Sequence, residues 1–382
     1  MSTKKGLFVF SAASFLHDVG SDIVFSVWPL FITNVLGANM AVLGLIDGIG
    51  DALVSLSQAV SGYLSDRLKK RKIFVFLGYL FGGVARIGYA FSPTWVWIIP
   101  FRILDRSGKI RSTPRDAMIS EISDKSNRGR NFGILRAMDN LGAVVGILIA
   151  ILFIKSFGYR NLFLFAAFPS LVAALLIIIF IKERPVSSDV FRGIRLSDFT
   201  SDLRLYTFLS AIFSLGTFSY SFLLVYAENK GFTLIAIPLL YLVFTLVAAM
   251  FSLPFGKLSD KFGRRTILHV SFLLWIGVVA IMFLFSNFVG IIGAFILYGL
   301  HKASLDPVQK ALAAELAPQE YLASTLGGFQ MIIGLMGLPS SFIAGLLWEY
   351  VGQSVPFIYS LILSIIAFLL LFLIKENKNL VS

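Results

Sequence analysis

Long apolar runs separated by short polar breaks repeat along the whole chain, with runs near Leu7, Ile73, Leu162, Leu239, Ile267, Ile291 and Phe357. A bilayer core takes about 20 apolar residues per helix. Cutting at the polar and Gly/Pro breaks predicts spans over residues 7–34, 41–64, 73–91, 94–113, 131–155, 160–182, 205–229, 235–256, 266–286, 289–313, 323–348 and 354–374. The pattern therefore predicts an all-α integral membrane protein of twelve transmembrane helices. Basic residues fall on alternate sides of these spans. Lys4 and Lys5, Arg67 to Lys72, Lys109 to Arg130, Lys182 to Arg204, Lys257 to Arg265, Lys302, Lys310, Lys375 and Lys378 share one side, and only Lys155, Arg160 and Lys230 the other. Cytoplasmic loops concentrate Lys and Arg, so both termini are expected in the cytoplasm. Asp18 and Asp22 interrupt what would be the apolar region of a secretion signal, so the first run is read as a retained span.

Composition narrows the function. With 57% hydrophobic and 14% charged residues in 382, and a mean hydropathy of +0.85, twelve spans leave no room for a soluble catalytic domain. An enzyme is not expected. The net charge of +12 belongs to the loops between spans, so nucleic acid is not an expected partner. The chain has no cysteine, which excludes disulfides, thiol chemistry and Cys-ligated metals. His17, His269 and His301 are too scattered to propose a metal site. No G-x-x-x-x-G-K-[ST] loop is present, so ATP hydrolysis has no phosphate cradle. No cofactor is expected, and energy comes from a gradient or from nothing.

The one long polar connector, containing KERPVSSDVFRGIR, lies mid-chain. It divides the sequence into a six-span half over residues 1–182, a cytoplasmic loop over 183–204 and a second six-span half over 205–382. Internal duplication supports that division. Gly62-Tyr-Leu-Ser-Asp66-Arg67-Leu-Lys-Lys-Arg71 returns as Gly256-Lys-Leu-Ser-Asp260-Lys-Phe-Gly263-Arg264-Arg265, 194 residues later. The same offset carries Gly133 onto Gly327, Gly158 onto Gly352 and Phe163 onto Phe357.

The repeated pattern, G-x-L-[SA]-D-[RK]-x-G-[RK]-[RK] after the second and eighth spans, resembles the signature loop of the major facilitator superfamily. The resemblance covers the whole chain. It implies two pseudo-symmetric halves and a transporter in which these loops latch a cytoplasmic gate. Carried over, Asp66 faces the start of the eleventh span and Asp260 the start of the fifth. The first copy has Lys69 where the pattern has Gly, so the tight turn is expected of the second copy, which keeps Gly263, and is not secured in the first. Arg102-Ile-Leu-Asp105-Arg106-Ser-Gly108 is similar to the family's R-x-x-x-G-x-G stretch, with Arg106 in place of the first Gly. The runs DRSGKIRSTPRDA and RAMDNLGAVVG resemble an uncharacterised prokaryotic branch that lends no substrate. Gly142 and Gly146 resemble the start of the antiporter motif, but Ile147 stands where its Pro should be. Simple close packing of helices is the better reading of that pair.

Charge inside the membrane singles out candidate chemistry, because a charged side chain at mid-bilayer costs about 2.5–3.5 kcal/mol on insertion scales. Asp18 and Asp22 lie four apart on one face of the first span, and Asp47 and Asp51 do the same in the second. Arg102 and Asp105 fall in the fourth span, and Arg136 and Asp139 in the fifth. These eight are the candidate proton and substrate residues. Carboxylates in a low-dielectric site suit proton binding and release near neutral pH; Asp18 and Asp22 lead, with Arg102 as the neighbouring charge. Arg106, Lys109, Arg111, Arg115 and Asp116 approach the cytoplasmic end and are read as structural. So is His301, as a satisfied interfacial residue. Asp306-Pro307 is expected to end or kink its helix. Trp28, Tyr220, Phe222, Tyr241 and Tyr298 can line an aromatic pocket, but lipid contact is the commoner role, and Trp95, Trp97 and Trp348 fit an interfacial belt.

These observations predict a secondary transporter of a small molecule working by alternating access, with proton-coupled export as the leading mode. Its expected partners are that substrate, protons and the lipid bilayer of the plasma membrane, and it is expected to be a monomer. Import or uniport of an organic anion, and a transport-inactive sensor or scaffold, stay open as alternatives.

Overall fold

A computed structural model describes residues 3–123, 127–183, 199–285, 287–318 and 322–374; the side chain of Asp66 lies outside that description. Among the described residues the chain is helical and has no strand. This is what hydrocarbon requires, since a helix satisfies its own backbone hydrogen bonds. The helices are α1 (Thr3–Phe25), α2 (Trp28–Leu30), α3 (Met40–Leu68), α4 (Lys72–Phe91), α5 (Trp95–Ser107), α6 (Ser112–Glu121), α7 (Arg128–Phe180), α8 (Ser201–Gly216), α9 (Tyr220–Asn229), α10 (Ala236–Phe262), α11 (Arg264–Leu284), α12 (Phe288–Leu316), α13 (Leu322–Tyr350) and α14 (Val355–Leu370).

Ten described helical stretches are long and apolar enough to cross a bilayer. Arg128–Phe180 counts for two, because Gly158 turns the chain at φ 66° and ψ 174° in the middle of α7. The twelfth crossing departs from its prediction. Instead of one helix over 94–113, α5 stops at Ser107 after 13 residues and continues through a 3-10 turn, Gly108–Arg111, into α6. The charged run from Arg102 to Arg111 cannot all face hydrocarbon, and the tight turn re-aims Lys109 and Arg111. The seventh span is also interrupted: α8 ends at Gly216 and α9 restarts at Tyr220, with the Ser219 side chain capping the new helix. Pro307, expected to end or kink α12, lies inside a helix that continues to Leu316.

The described backbone has six residues in the left-handed region, and they form three pairs at the 194-residue offset. Gly37 (φ 67°) pairs with Gly231 (φ 96°), Lys69 (φ 53°) with Gly263 (φ 93°), and Gly158 (φ 66°) with Gly352 (φ 155°). The turn at Lys69 thus forms without the glycine that makes it cheap. Matching hydrogen bonds hold the two copies: Ser65 Oγ donates to the Gly62 carbonyl at 3.1 Å and Ser259 Oγ to the Gly256 carbonyl at 2.7 Å.

The chain falls into two compact units, one bounded by Met1–Ala38 with Leu53–Phe191 and the other by Asn39–Ala52 with Arg192–Ser382. The start of α3 therefore belongs with the second unit. Most of the polar connector, residues 184–198, lies outside the described residues. In the first unit α1 lies along α7, and Phe10, Tyr79, Ile119, Leu135 and Ile177 meet in the core. In the second, α12 packs on α10 and α11 while α8 packs on α13 and α14. Phe213 and Phe272 stack there at 3.8 Å. Trp28 and Trp348 are core residues rather than belt residues, 0% and 8% exposed; Trp97 is exposed, as the belt reading expects.

Candidate functional site

A cavity of about 270 Å³ opens inside the first unit. One face of α1 brings His17, Asp18, Ser21 and Asp22 to it, with Phe25 a turn further. The break at Gly108 delivers Asp105 and Arg106 from the end of α5, and Lys109 and Arg111 from the 3-10 turn; α7 supplies Asp139, Asn140 and Ala143. The close approach of α1 and α7 depends on glycine. A Cβ on Gly142 would lie 2.5 Å from the Phe15 carbonyl oxygen and 3.2 Å from the Asp18 Cβ. The pair Gly142 and Gly146 therefore serves close packing beside Asp18.

Around the cavity the charges are held unequally. Arg115 Nη1 donates to Ser14 Oγ at 2.6 Å and stands 3.9 Å from Asp139, while its Nη2 pairs with Asp116 at 3.0 Å. Arg136, 63% exposed, pairs with Asp139 at 3.3 Å and Asp116 at 3.8 Å, so it sits at a rim outside the lining. Asp105 approaches Arg106 at 3.9 Å. Arg102 is buried beside the lining, with its guanidinium 4.4 Å from the Trp28 ring and 5.6 Å from that of Phe25. Arg86 of α4 is the most enclosed cation. It donates to Ser21 Oγ at 2.7 Å, to the Ala166 and His17 carbonyls at 3.2 and 3.4 Å, and to Ser170 Oγ. All four acceptors are neutral.

Four of the eight sequence candidates, Asp18, Asp22, Asp105 and Asp139, thus meet in one cavity, with Arg102 and Arg136 beside it. Asp47 and Asp51 do not join them and belong to the second unit. Asp47 is 2% exposed and accepts the hydroxyls of Ser219 at 2.7 Å and Ser221 at 2.5 Å. Ser219 caps α9, and its backbone N–H donates to Ser341 Oγ at 3.1 Å. Asp47 therefore anchors the interrupted helix. Asp51, one turn on, is exposed and lies against Gly337. The aromatic candidates also divide: Trp28 packs against Tyr89 with its ring tilted in the first unit, while Tyr220, Tyr241, Phe244 and Tyr298 make a ring-to-ring chain in the second. His301 is buried, not interfacial, and its Nδ1 is satisfied by the Ser271 carbonyl at 2.9 Å.

The repeated loops close on their own units. Gly62 faces the Thr113 side chain, and Arg67 reaches Tyr63 Oη at 3.1 Å. Arg71 is buried and ion-paired with Glu121, and its backbone N–H, like that of Lys72, donates to the Glu183 carboxylate. In the second copy Gly256 faces open space, Asp260 stands 4.0 Å from Arg264, and Arg264 pairs with Glu315 at 2.6 Å. Arg265 donates to the Ile374 carbonyl at 2.7 Å. The side chain of Asp66, expected to face the start of the eleventh span, lies outside the described residues.

His17, Arg106, Lys109, Arg111 and Asn140 join the lining although sequence reading passed over them or placed them at the membrane edge. The spacing of Asp105 and Lys109, one helical turn apart, is the signal that held them. Among the described residues no group of three His, Asp or Glu side chains is arranged to hold a metal ion.

The Major Facilitator Superfamily model matches residues 10–204 and again 205–381. An uncharacterised MFS-type transporter of Methanocaldococcus jannaschii is 36% identical over 383 residues, spanning 97% of this chain and 95% of that protein. The multi-drug resistance efflux pump PmrA of Streptococcus pneumoniae is 24% identical over 341 residues, 85% of this chain and 84% of the pump. A solved nucleoside transporter, NupG, superposes with a TM-score of 0.84 at 12% identity, covering 97% of this chain and 100% of that one, a likeness of fold alone.

Proposed function

The chain belongs to the Major Facilitator Superfamily of multi-pass membrane transporters, and on that premise we propose that it is a proton-coupled secondary transporter of a small molecule. It works by alternating access in the plasma membrane, with both termini cytoplasmic. The observation that carries this reading is the cavity of the first unit, lined in part from α1 and α7, which are long and apolar enough to cross a bilayer, where Asp18, Asp22, Asp105 and Asp139 converge among basic side chains. Ionisable groups at such depth are costly and mark ion and proton paths. Asp18 and Asp22 bind the proton, Asp105 and Asp139 complete the acidic wall, and Arg102 and Arg136 set the local charge. The repeated loops around Asp66 and Asp260 latch the gate.

The multi-drug efflux pump among the relatives supports export. A second reading, uptake of an organic anion, is favoured by the basic side chains at the same cavity. The test is a recording of luminal pH in proteoliposomes carrying an entrapped pH dye, challenged with small cations, anions, sugars and amino acids. A transported compound is expected to change luminal pH, and Asp18→Asn to abolish that change. A compound that crosses with no movement of luminal pH would refute proton coupling; a protein that moves nothing would favour a transport-inactive sensor.

A further inference from the structure

We propose that the substrate is a small organic anion, bearing a carboxylate or phosphate group, which binds together with a proton and not in competition with one. This rests on the reading of the first unit's cavity as the transport site. Three observations carry it.

The first is a charge surplus. Arg106, Lys109 and Arg111 line the cavity with Asp18, Asp22, Asp105 and Asp139, and the buried Arg86, Arg102 and Arg115 stand behind that lining. Counted over the lining and the residues behind it together, with every carboxylate ionised, two positive charges stand in excess. The rim adds Arg136 and Asp116, one of each sign and paired at 3.8 Å, so the excess is unchanged. Burying charge without a counter-charge is costly. An anion in the cavity supplies what the protein lacks.

The second observation is where the surplus lies. Arg86 is 1% exposed and bonded to neutral oxygens only. Arg111, 4% exposed, gives one N–H to the Gly108 carbonyl at 2.9 Å and lies over the Tyr79 ring, and its Nε has no hydrogen-bond partner among the described residues. Lys109 lines the cavity with no carboxylate within 4.0 Å among the described ion pairs. Lys109 and Arg111 leave the same short turn, so their charged ends can close on one ligand, with the guanidinium fork suited to carboxylate or phosphate oxygens.

The third is the place of Asp18. From α1 itself it has His17 and Asp22 as neighbours; α7 presents Asp139 and Asn140, α5 Asp105 and Arg106, and the 3-10 turn Lys109 and Arg111. Arg86 approaches from α4, and Arg115 of α6 reaches the same region through Ser14 and Asp139. An anion held by Lys109 and Arg111 is repelled by an ionised Asp18. A proton on Asp18 removes that repulsion, so proton and anion reinforce each other, as linkage requires. A carrier loaded with both together performs symport, which takes the uptake reading of the cavity in place of export.

The test titrates the purified full-length protein with lactate, gluconate and tartrate, all fully ionised at pH 6 and pH 8, and with glycerol 3-phosphate as the phosphate arm. Tetraphenylphosphonium and glucose serve as cationic and neutral controls, and thermal unfolding reports binding. At least one anion is expected to stabilise the protein, binding about tenfold or more tightly at pH 6 than at pH 8. Lys109→Gln weakens it by about tenfold or more, and Lys109→Arg restores it. Asp18→Asn binds at pH 8 as the native protein does at pH 6. Stabilisation by none of the four anions, by tetraphenylphosphonium alone, or by an anion indifferent to Lys109 overturns the substrate class. An anion that binds equally at both pH values overturns joint binding, and the luminal pH recording then shows separately whether proton coupling itself has failed.

Discussion

Asp47→Ala separates an anchoring role from a transporting one. The carboxylate is buried and accepts two serine hydroxyls, at 2.7 and 2.5 Å, where α8 has stopped and α9 has not yet begun. An interruption in hydrocarbon leaves backbone groups that must find partners, and Ser219 meets part of that need by capping α9. A hydrogen bond to a charged group contributes about 1.5–3 kcal/mol, so losing both costs about 3–6 kcal/mol. For a folding unit of about 200 residues each kcal/mol shifts Tm by about 2–4 °C, and the expected fall is about 6–24 °C. Both hydroxyls donate to the same oxygen, Oδ2, so Asp47→Asn, whose amide oxygen can accept both without the charge, should lose about half as much. Differential scanning fluorimetry of the purified variants in one detergent reads the shift, and a double-mutant cycle with Ser221→Ala isolates the bond. Asp47→Ala unfolding within about 2 °C of the native protein would refute the anchoring argument, and additive effects in the cycle would refute the specific pairing.

Four further substitutions follow from the packing. Lys69→Gly relieves a left-handed residue and should stabilise by about 0.5–1 kcal/mol, while Gly263→Ala at the equivalent turn should destabilise by about 1–2 kcal/mol; thermal midpoints compared side by side check the pair. Gly142→Val drives a side chain into the Phe15 carbonyl and should cost about 1–3 kcal/mol, read as a lowered Tm and lost ligand stabilisation. Arg86→Met removes a cation that four neutral acceptors were placed to hold. It should cost about 1–3 kcal/mol through the unsatisfied polar groups left behind, and a variant as stable as the native protein would show that those bonds are dispensable.

Much of this architecture is legible in the sequence because hydrocarbon imposes a simple rule on apolar run length. The two-fold repeat was also readable, and the left-handed pairs at Gly37, Lys69 and Gly158 with their partners show why: equivalent loops need equivalent turns. Legibility failed where local and tertiary demands part. The Lys69 turn is closed by the Lys70 N–H, which donates to the Ser65 carbonyl at 3.2 Å, a backbone bond that no side-chain preference at Lys69 encodes. The fourth span broke at Gly108 because its charges converge on a cavity, which only packing against α1 and α7 creates. Asp18 and Asp22 could be paired from helical periodicity alone, whereas the grouping of Asp47 with Ser219 and Ser221 joins residues 172 and 174 positions apart. Burial of Trp348 and His301 was likewise invisible, since a buried and a lipid-facing aromatic read alike in sequence.

The central claim, that a proton and a small molecule move together through Asp18, is tested most directly by concentrative transport. Proteoliposomes are given an acid exterior, no membrane potential and equal concentrations of a bound anion on both sides. The native protein is expected to accumulate the anion inside until the pH gradient decays, and Asp18→Asn to leave it at equal concentrations while still binding it. Accumulation that persists in Asp18→Asn, or expulsion of the anion by the native protein under the same gradient, would contradict the account.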